Sequence, residues 1–416
     1  MDIKKRIEKL RRDINNREMG IKKNEDSMTV DKLRILLREK EKSSKRIKDI
    51  TKLADYLGGE VCTNAHGKFI LKTELLESQS CNDDLERIHI LAKEDIFKNF
   101  NLSHNIFLDV ETSGLSSGVG NFAFLIGIGF IEKRGFKIIQ FFLPDLPCEK
   151  SLLVELTKYL EDFRFITTFN GKSFDIPLLN ARFKLQMLNP PDFDLHLDLL
   201  HIARRVYKRS FSDRSLASLE EKLLSQPRLN DIAGHLIPDV YFNFLRTNEV
   251  SLLSKVIKHN IIDVLSMFKL LSHFSELLKT VATIKNPEVL YSISKLLIEL
   301  RDNDTSIQLM KRALRFTENI PLIFEIKRDL SILYKRLSQW EEASELWTEL
   351  LSETPHEPFP YIELAKYYEH RVGDYKKAKD TINTLKEKLG NGWEYLAYDN
   401  LLKRERRLNR KIDKFS

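Results

Sequence analysis

Two carboxylates one residue apart, Asp109 and Glu111, stand at the end of an apolar run, Ile106-Phe107-Leu108-Asp109-Val110. On a strand, residues i and i+2 point to the same face, so both acids project together from a sheet end. Like charges held that close favour a cation between them. A third carboxylate, Asp175, sits in Phe169-Asn170-Gly171-Lys172-Ser173-Phe174-Asp175-Ile176-Pro177, where a strand runs through a polar turn into a helix. Taken alone, it could be only an N-cap ahead of Pro177. A fourth, Asp263, follows His259 by four residues in an apolar-periodic helix, which puts ring and carboxylate on one face. Alone, that pair reads equally as a helix-surface His/Asp pair. The ordered set of a strand DxE, a helix-start Asp and a late helical Asp carries more than its parts.

The elements that must position these groups are legible nearby. Ile106 to Val110 reads as a buried strand, followed by a Ser/Gly turn and further strands at Phe122 to Glu132 and Gly135 to Leu143. Short turns between them predict antiparallel pairing; a helix at Lys150 to Phe163 then leads to another strand, Phe165 to Phe169, so the sheet should be mixed. Helical patterns cover most of 175–188 and 252–279.

With Asp109 and Glu111, Asp175 and Asp263 in this order, the chain resembles the DEDD superfamily of 3′ to 5′ exonucleases, whose fold is ribonuclease H-like with a mixed five-stranded sheet. Within it the chain is similar to the YprB-like ribonuclease H-like domain through Phe169-Asn170-Gly171-Lys172-Ser173-Phe174-Asp175, Leu236-Ile237-Pro238-Asp239-Val240-Tyr241 and His259-Asn260, over about residues 105–278. The superfamily's last motif also supplies a Tyr or His. Here His259 has the spacing of the tyrosine subclass and the residue of the histidine subclass, a departure that touches the identity of the general base. The resemblance implies phosphodiester hydrolysis on single-stranded nucleic acid with two divalent ions, Mg²⁺ or Mn²⁺, since four carboxylates and no cysteine make an oxygen-rich cage. Asp109 would bridge both ions, Glu111 and Asp263 would complete one site, Asp175 would act directly or through water, and His259 would accept a proton from the attacking water.

Substrate handling is less sharply written. Arg204, Arg205, Lys208, Arg209 and Arg214 crowd together with Asp213 as the only acid among them, either to hold phosphates or as a solvated face. Asn170 and Lys172 lie in the turn before Asp175, and Lys172 could reach a phosphate oxygen. Leu115 could wedge a terminal base, whereas Phe174 reads as core. Gly118-Val119-Gly120-Asn121-Phe122-Ala123 matches a dinucleotide-binding pattern but precedes a strand where a helix is required. His196 with His201, and Cys62 with His66, lack the further ligands of a zinc site. Asp198 reads as a cap for a helix starting near Leu199, or as a neighbour of the metal ligands.

The rest of the chain bounds these readings. At 416 residues, with 42% apolar and 31% charged residues, it should fold as two to four globular units. Few glycines and prolines, 15 and 12, point to helix-rich architecture. No apolar run reaches the roughly 18 residues of a membrane span. Three scattered cysteines and a charged start without an apolar leader lead us to expect a reducing, cytoplasmic setting. Residues 1–50 hold 17 Lys/Arg against 10 Asp/Glu, which accounts for the whole net charge of +7; Ile3, Ile7, Leu10 and Ile14 add a helical face. Between Gly58 and Leu75 a small hairpin is expected.

After Thr280 a repeat of about 35 residues emerges: Ser306–Ala313, Ala343–Leu350 and Ala378–Leu385 align at offsets of 37 and 35. This resembles the tetratricopeptide family, with Tyr334, Ala343, Trp347 and Pro355 in consensus positions over about residues 287–390. The family's first-helix glycine is missing, and Tyr368 fits only with a one-residue insertion. Stacked helix pairs would make a concave surface for a protein partner. The expected organisation is a basic helical arm at 1–57, a hairpin or linker at 58–100, an α/β ribonuclease H-like domain at 101–280 and an all-α repeat domain at 281–416. Two readings compete with a nuclease: a nucleic-acid-binding module without turnover, and a scaffold acting through the helical repeats.

Overall fold

The computed structural model describes residues 45–77, 85, 87–114, 120–133, 135–390 and 398–415. Most of the expected basic arm, residues 1–44, and Leu115 lie outside them. Among the described residues, helix α1 (Ile50–Leu57) leads into a hairpin of β1 (Glu60–Asn64) and β2 (Gly67–Glu77). Asn64 makes that turn by accepting the His66 amide on its side chain at 3.0 Å. Helix α2 (Ile88–Ala92), strands β3 (Asn105–Thr112), β4 (Ala123–Glu132) and β5 (Gly135–Phe142), helix α3 (Glu149–Leu160) and strand β6 (Phe165–Thr168) follow. Then come α4 (Asp175–Leu185), β7 (Leu195–Asp198), α5 (Leu199–Tyr207), α6 (Leu216–Leu224), α7 (Ile237–Thr247) and α8 (Leu253–Lys279).

The sheet is mixed and has seven strands in the order β1-β2-β5-β4-β3-β6-β7, not the five expected. The two extra strands are the hairpin. β2 pairs antiparallel along β5 from Ile70 opposite Phe142 to Glu77 opposite Gly135, so the segment extends the sheet. β6 and β7 run parallel to β3.

Both faces of the sheet are covered, which explains why β4 reads as a continuous apolar run from Ala123 to Ile131 rather than an alternation. On β3, Ile106, Leu108 and Val110 face one core with α3, α4 and α7, while Phe107 faces the other, beneath α8. Alternation therefore places Asp109 and Glu111 on the α8 side. β4 makes the close approach of α8 feasible: Ile126 and Ile128 fill the far core, whereas Gly127 and Gly129 leave room on the near face. A Cβ on Gly127 would overlap the Asn260 side chain, and one on Gly129 would meet Val264 and Phe136. One turn further along α8, Phe268 stacks on Phe136 with centroids 4.6 Å apart and meets Phe107 edge-on at 5.8 Å.

The remaining helices are α9 (Pro287–Glu299), α10 (Asn303–Arg315), α11 (Ile320–Arg336), α12 (Trp340–Glu353), α13 (Pro358–Tyr367), α14 (Tyr375–Leu389) and α15 (Tyr398–Phe415). Consecutive helices pack as neighbours in the pairs α9/α10, α11/α12 and α13/α14. The positions aligned by the repeat, Ser306/Ala343/Ala378, Met310/Trp347/Ile382 and Ala313/Leu350/Leu385, are all buried on the second helix of each pair. A single π-helical turn at Tyr368–Val372 sits where the repeat required an inserted residue. A π turn closes i to i+5 and so takes in one residue more than an α turn. Leu290, Tyr291 and Met310 share one core with Phe274 and Leu278 of α8, so the helical pairs continue the packing of the sheet domain. Among the described residues no helix is long and apolar enough to cross a membrane.

Candidate metal centre

Asp109 is held from α8. Asn260 donates its side-chain amide to Asp109 Oδ2 at 2.8 Å and to the Asp109 carbonyl at 3.3 Å. The Asn260 Oδ1 in turn accepts from Gln140 Nε2 at 2.7 Å, and Gln140 also donates to the Ile257 carbonyl at 2.9 Å. Asn260 and Gln140 are both buried, so this chain of amides is shielded from water and fixes one orientation of the carboxylate. Burial, followed by the charges of Asp263, Glu111 and Asp175, pushes the Asp109 carboxyl well above its usual range, against the Asn260 hydrogen bond.

Glu111 lies two residues on. Its Oε1 is buried and has no hydrogen-bond partner among the described residues. Burial, then Asp263, Asp175 and Asp231, raise its carboxyl too, with Arg228 acting the other way. On α8, His259 and Asp263 face it from successive turns, and one ligand atom from each of Glu111, His259 and Asp263 lies within 4.8 Å of the others. His259 Nδ1 is 2.8 Å from Asp231 Oδ2, and its Nε2 is 3.5 Å from Asp263 Oδ2. Asp263 Oδ1 accepts from Arg228 Nη2.

Arg228 is the organiser of this side of the cluster. Its guanidinium takes both oxygens of the buried Glu220, at 2.5 and 2.6 Å, and Asp231 Oδ2 at 3.1 Å, as well as Asp263. Its side chain is 10% exposed, so these are shielded, charge-assisted bonds. Burial opposes the Arg228 charge, but Glu220 and Asp263 hold its pKa above the ordinary arginine value.

Asp175 is the first residue of α4, and Phe174, not Asp175, holds the cap position. The preceding turn is built by Asp198: its Oδ1 accepts from the Asn170 amide at 2.8 Å and from Leu200 at 3.1 Å, and its Oδ2 from the Lys172 amide at 3.2 Å. Asp198 thus caps α5 and pins the turn in which Asn170 takes a left-handed φ of 67°. Burial, then Asp198 and Asp263, raise the Asp175 carboxyl to about 7. Asp109, Glu111 and Asp175 are each raised by burial and by neighbouring acids, Asp263 among them, which marks a site short of positive charge. A buried glutamate oxygen without a partner and a donor set of oxygens with one imidazole fit a divalent cation.

The residues expected to hold nucleic acid are spread around this centre. Among the described residues, the Lys172 ammonium pairs with Glu94, at 3.9 Å. Arg205 is committed to the Leu91 and Ala92 carbonyls at 2.9 and 2.6 Å, a packing role that closes α2 onto α5. Arg209 pairs with Glu325 at 2.5 Å and Arg214 bonds the Phe211 carbonyl, whereas Arg204 is exposed. Phe174, which reads as core in the sequence, is 46% exposed beside Asp175, because it stands where the chain turns into α4. Arg228, Asp231 and Glu220 are not signalled in the sequence, since their charges in and beside a loop look like ordinary solvated groups. Asn260 had a signal: a polar residue on the apolar face of a helix, three residues before Asp263.

Comparison with known proteins places this centre in context. An RNase_H superfamily family model matches residues 106–275, which contain every residue of the cluster. The uncharacterized protein YprB of Bacillus subtilis (strain 168) is 34% identical over 288 residues, 68% of this chain and 68% of that protein. Among solved structures, a family B DNA polymerase from the hyperthermophilic archaeon Pyrobaculum calidifontis aligns with a TM-score of 0.33 and 13% identity, over 51% of this chain and 29% of its own. The chain belongs to the family of YprB, and it carries an RNase H superfamily domain over residues 106–275.

Proposed function

We propose that this protein is a metal-dependent nuclease that removes nucleotides from the 3′ ends of single-stranded nucleic acid. The observation that carries the reading is the buried Oε1 of Glu111, without a hydrogen-bond partner among the described residues, inside a group of carboxylates whose pKa values burial drives upward, helped at Asp109, Glu111 and Asp175 by neighbouring acids. Asp109, Glu111, Asp175 and Asp263 would hold the divalent ions, Mg²⁺ or Mn²⁺. When bound, such ions lower the pKa of a water and neutralise charge on the leaving oxygen.

The chain's own groups prepare that chemistry. Asn260 and Gln140 hold Asp109 in one rotamer. Arg228 restrains one oxygen of Asp263, and Asp231 engages the Nδ1 of His259, so Nε2 is the ring atom that works in the site. Exposed Phe174 offers a face on which a terminal base can stack, and Lys172 and Arg204 offer charge to the phosphates behind it. The paired helices of residues 287–389 offer a surface for a protein partner.

A second reading, a nucleic-acid-binding module without turnover, draws on Arg228, whose guanidinium already neutralises part of Asp263. One assay separates the two: purified protein with 5′-labelled single-stranded DNA and RNA in Mg²⁺, Mn²⁺ or EDTA, beside Asp109→Ala and Asp263→Ala. A ladder shortening from the 3′ end, absent in EDTA and in both variants, is the expected result. Strands that stay intact but shift in mobility with folded protein would favour the binding module.

A further inference from the structure

We propose that His259 is a metal ligand through Nε2, so that Glu111, His259 and Asp263 form a mixed nitrogen and oxygen set that takes Mn²⁺ in preference to Mg²⁺. The inference deepens the reading of this cluster as a metal centre and rests on it. It gives His259 a different task from the proton acceptor that the sequence leads one to expect.

The ring's orientation comes first. Asp231 Oδ2 lies 2.8 Å from Nδ1, so Nδ1 carries the hydrogen and Nε2 the lone pair. Arg228 Nη1 is 3.3 Å from the same nitrogen, a longer contact than the 2.8 Å to Asp231 Oδ2, and a bare lone pair on Nδ1 would face that carboxylate oxygen at hydrogen-bond distance, which favours the hydrogen on Nδ1. Nε2 then faces Asp263 Oδ2 at 3.5 Å, two lone pairs opposed. Bonds of about 2.0–2.2 Å to one ion put adjacent ligand atoms about 3–3.5 Å apart, which is this separation. Arg228 occupies Asp263 Oδ1 and leaves Oδ2 for the ion. Glu111 adds a third group, one of its carboxylate oxygens lying within 4.8 Å of one ligand atom each from His259 and Asp263, and its buried Oε1 has no hydrogen-bond partner among the described residues. His259 thus brings Nε2 beside Asp263 Oδ2, in the same cluster as Glu111.

The donor types choose among ions. Mg²⁺ keeps oxygen ligands and waters, whereas an imidazole beside two carboxylates suits a divalent ion of the first transition row. Asp231 acts through His259 as a positioning residue, fixing the tautomer and the direction of the ring.

The test is pulsed electron paramagnetic resonance of Mn²⁺ added to the full chain. Modulation from a directly bound ¹⁴N is expected in the wild type and absent in His259→Gln, with Mn²⁺ affinity reduced at least about 10-fold. Asp231→Asn should keep the nitrogen signal but weaken Mn²⁺ binding by about 10–100-fold. Bound Mn²⁺ without nitrogen coupling, coupling that persists in His259→Gln, or no Mn²⁺ binding would each overturn the assignment. The wild-type spectrum decides the matter without any variant, and circular dichroism checks that His259→Gln is folded. Hydrolysis is scored separately. Nitrogen coupling without cleavage in any ion leaves the ligand standing and removes the nuclease, and cleavage in Mn²⁺ without coupling does the reverse.

Discussion

Asn260 on α8 donates to Asp109 on β3 over 2.8 Å, and with Gln140 behind it this bond links the helix to two strands of the sheet. Replacing it by Leu leaves the half-buried Asp109 without its donor and the buried Gln140 with one acceptor fewer. We expect Asn260→Leu to lose about 1–3 kcal/mol of stability, the cost of unsatisfied buried polar groups. Urea unfolding checks this; a variant indistinguishable from wild type would remove the structural role of the amide chain.

Gly127 is required by the same contact. A methyl group there would overlap the Asn260 amide, whose Cγ would lie 2.8 Å away. Gly127→Ala should cost about 1–3 kcal/mol through overpacking. Combining it with Asn260→Ala should cost less than the sum of the two single changes, because the smaller side chain makes room. Strict additivity in a double-mutant cycle would show that the two residues do not press on each other.

Arg228 balances a buried acid. Glu220, its bidentate partner, has a side chain only 2% exposed. Arg228→Gln strands that charge beside Asp231 and Asp263 and should cost about 3–5 kcal/mol. Adding Glu220→Gln should recover much of the loss. If Arg228→Gln melts with the wild type, the cluster does not need its cation for folding.

The basic stretch divides into two kinds of arginine. Arg205→Ala should cost about 1.5–3 kcal/mol of stability by freeing the Leu91 and Ala92 carbonyls. Arg204→Ala should leave stability unchanged and lower the salt dependence of single-strand binding, by about 0.7 in the log–log slope if it meets one phosphate. Titrations at several salt concentrations distinguish them, and an unchanged slope for Arg204→Ala would take it out of the interface.

Acid should release the last helix. Burial pushes the Glu369 carboxyl up, but hydrogen bonds from Arg407 and Lys411 and the charge of Arg404 outweigh it and hold the pKa at about 2. A carboxyl depressed in the folded state stabilises above its unfolded pKa and loses that contribution as pH falls through the folded one. The attachment of α15 to the π-helical turn should therefore weaken between the ordinary glutamate range and about pH 2. Hydrogen exchange in α15 should rise over that window in wild type, while Glu369→Gln should show fast exchange already at neutral pH.

Local periodicity in the sequence determined a good deal of this protein. A period of two put Asp109 and Glu111 on one strand face, a period near 3.6 put His259 above Asp263, and the 35-residue spacing marked positions such as Ala343, Trp347 and Ala378 that are buried in the helix pairs. These relations hold within one element or between copies of it, so neighbouring residues suffice to reveal them. The tertiary structure alone decided that the hairpin from Glu60 to Glu77 joins the sheet, because strand pairing is chosen by residues far apart in the chain, here Ile70 with Phe142. It alone brought Arg228 and Asp231 from a loop onto α8, and Gln140 from β5 behind Asn260. A charge in a loop or an amide in a strand carries no local mark of its partner. Its meaning depends on which distant group the packing sets beside it and on how much water that packing removes.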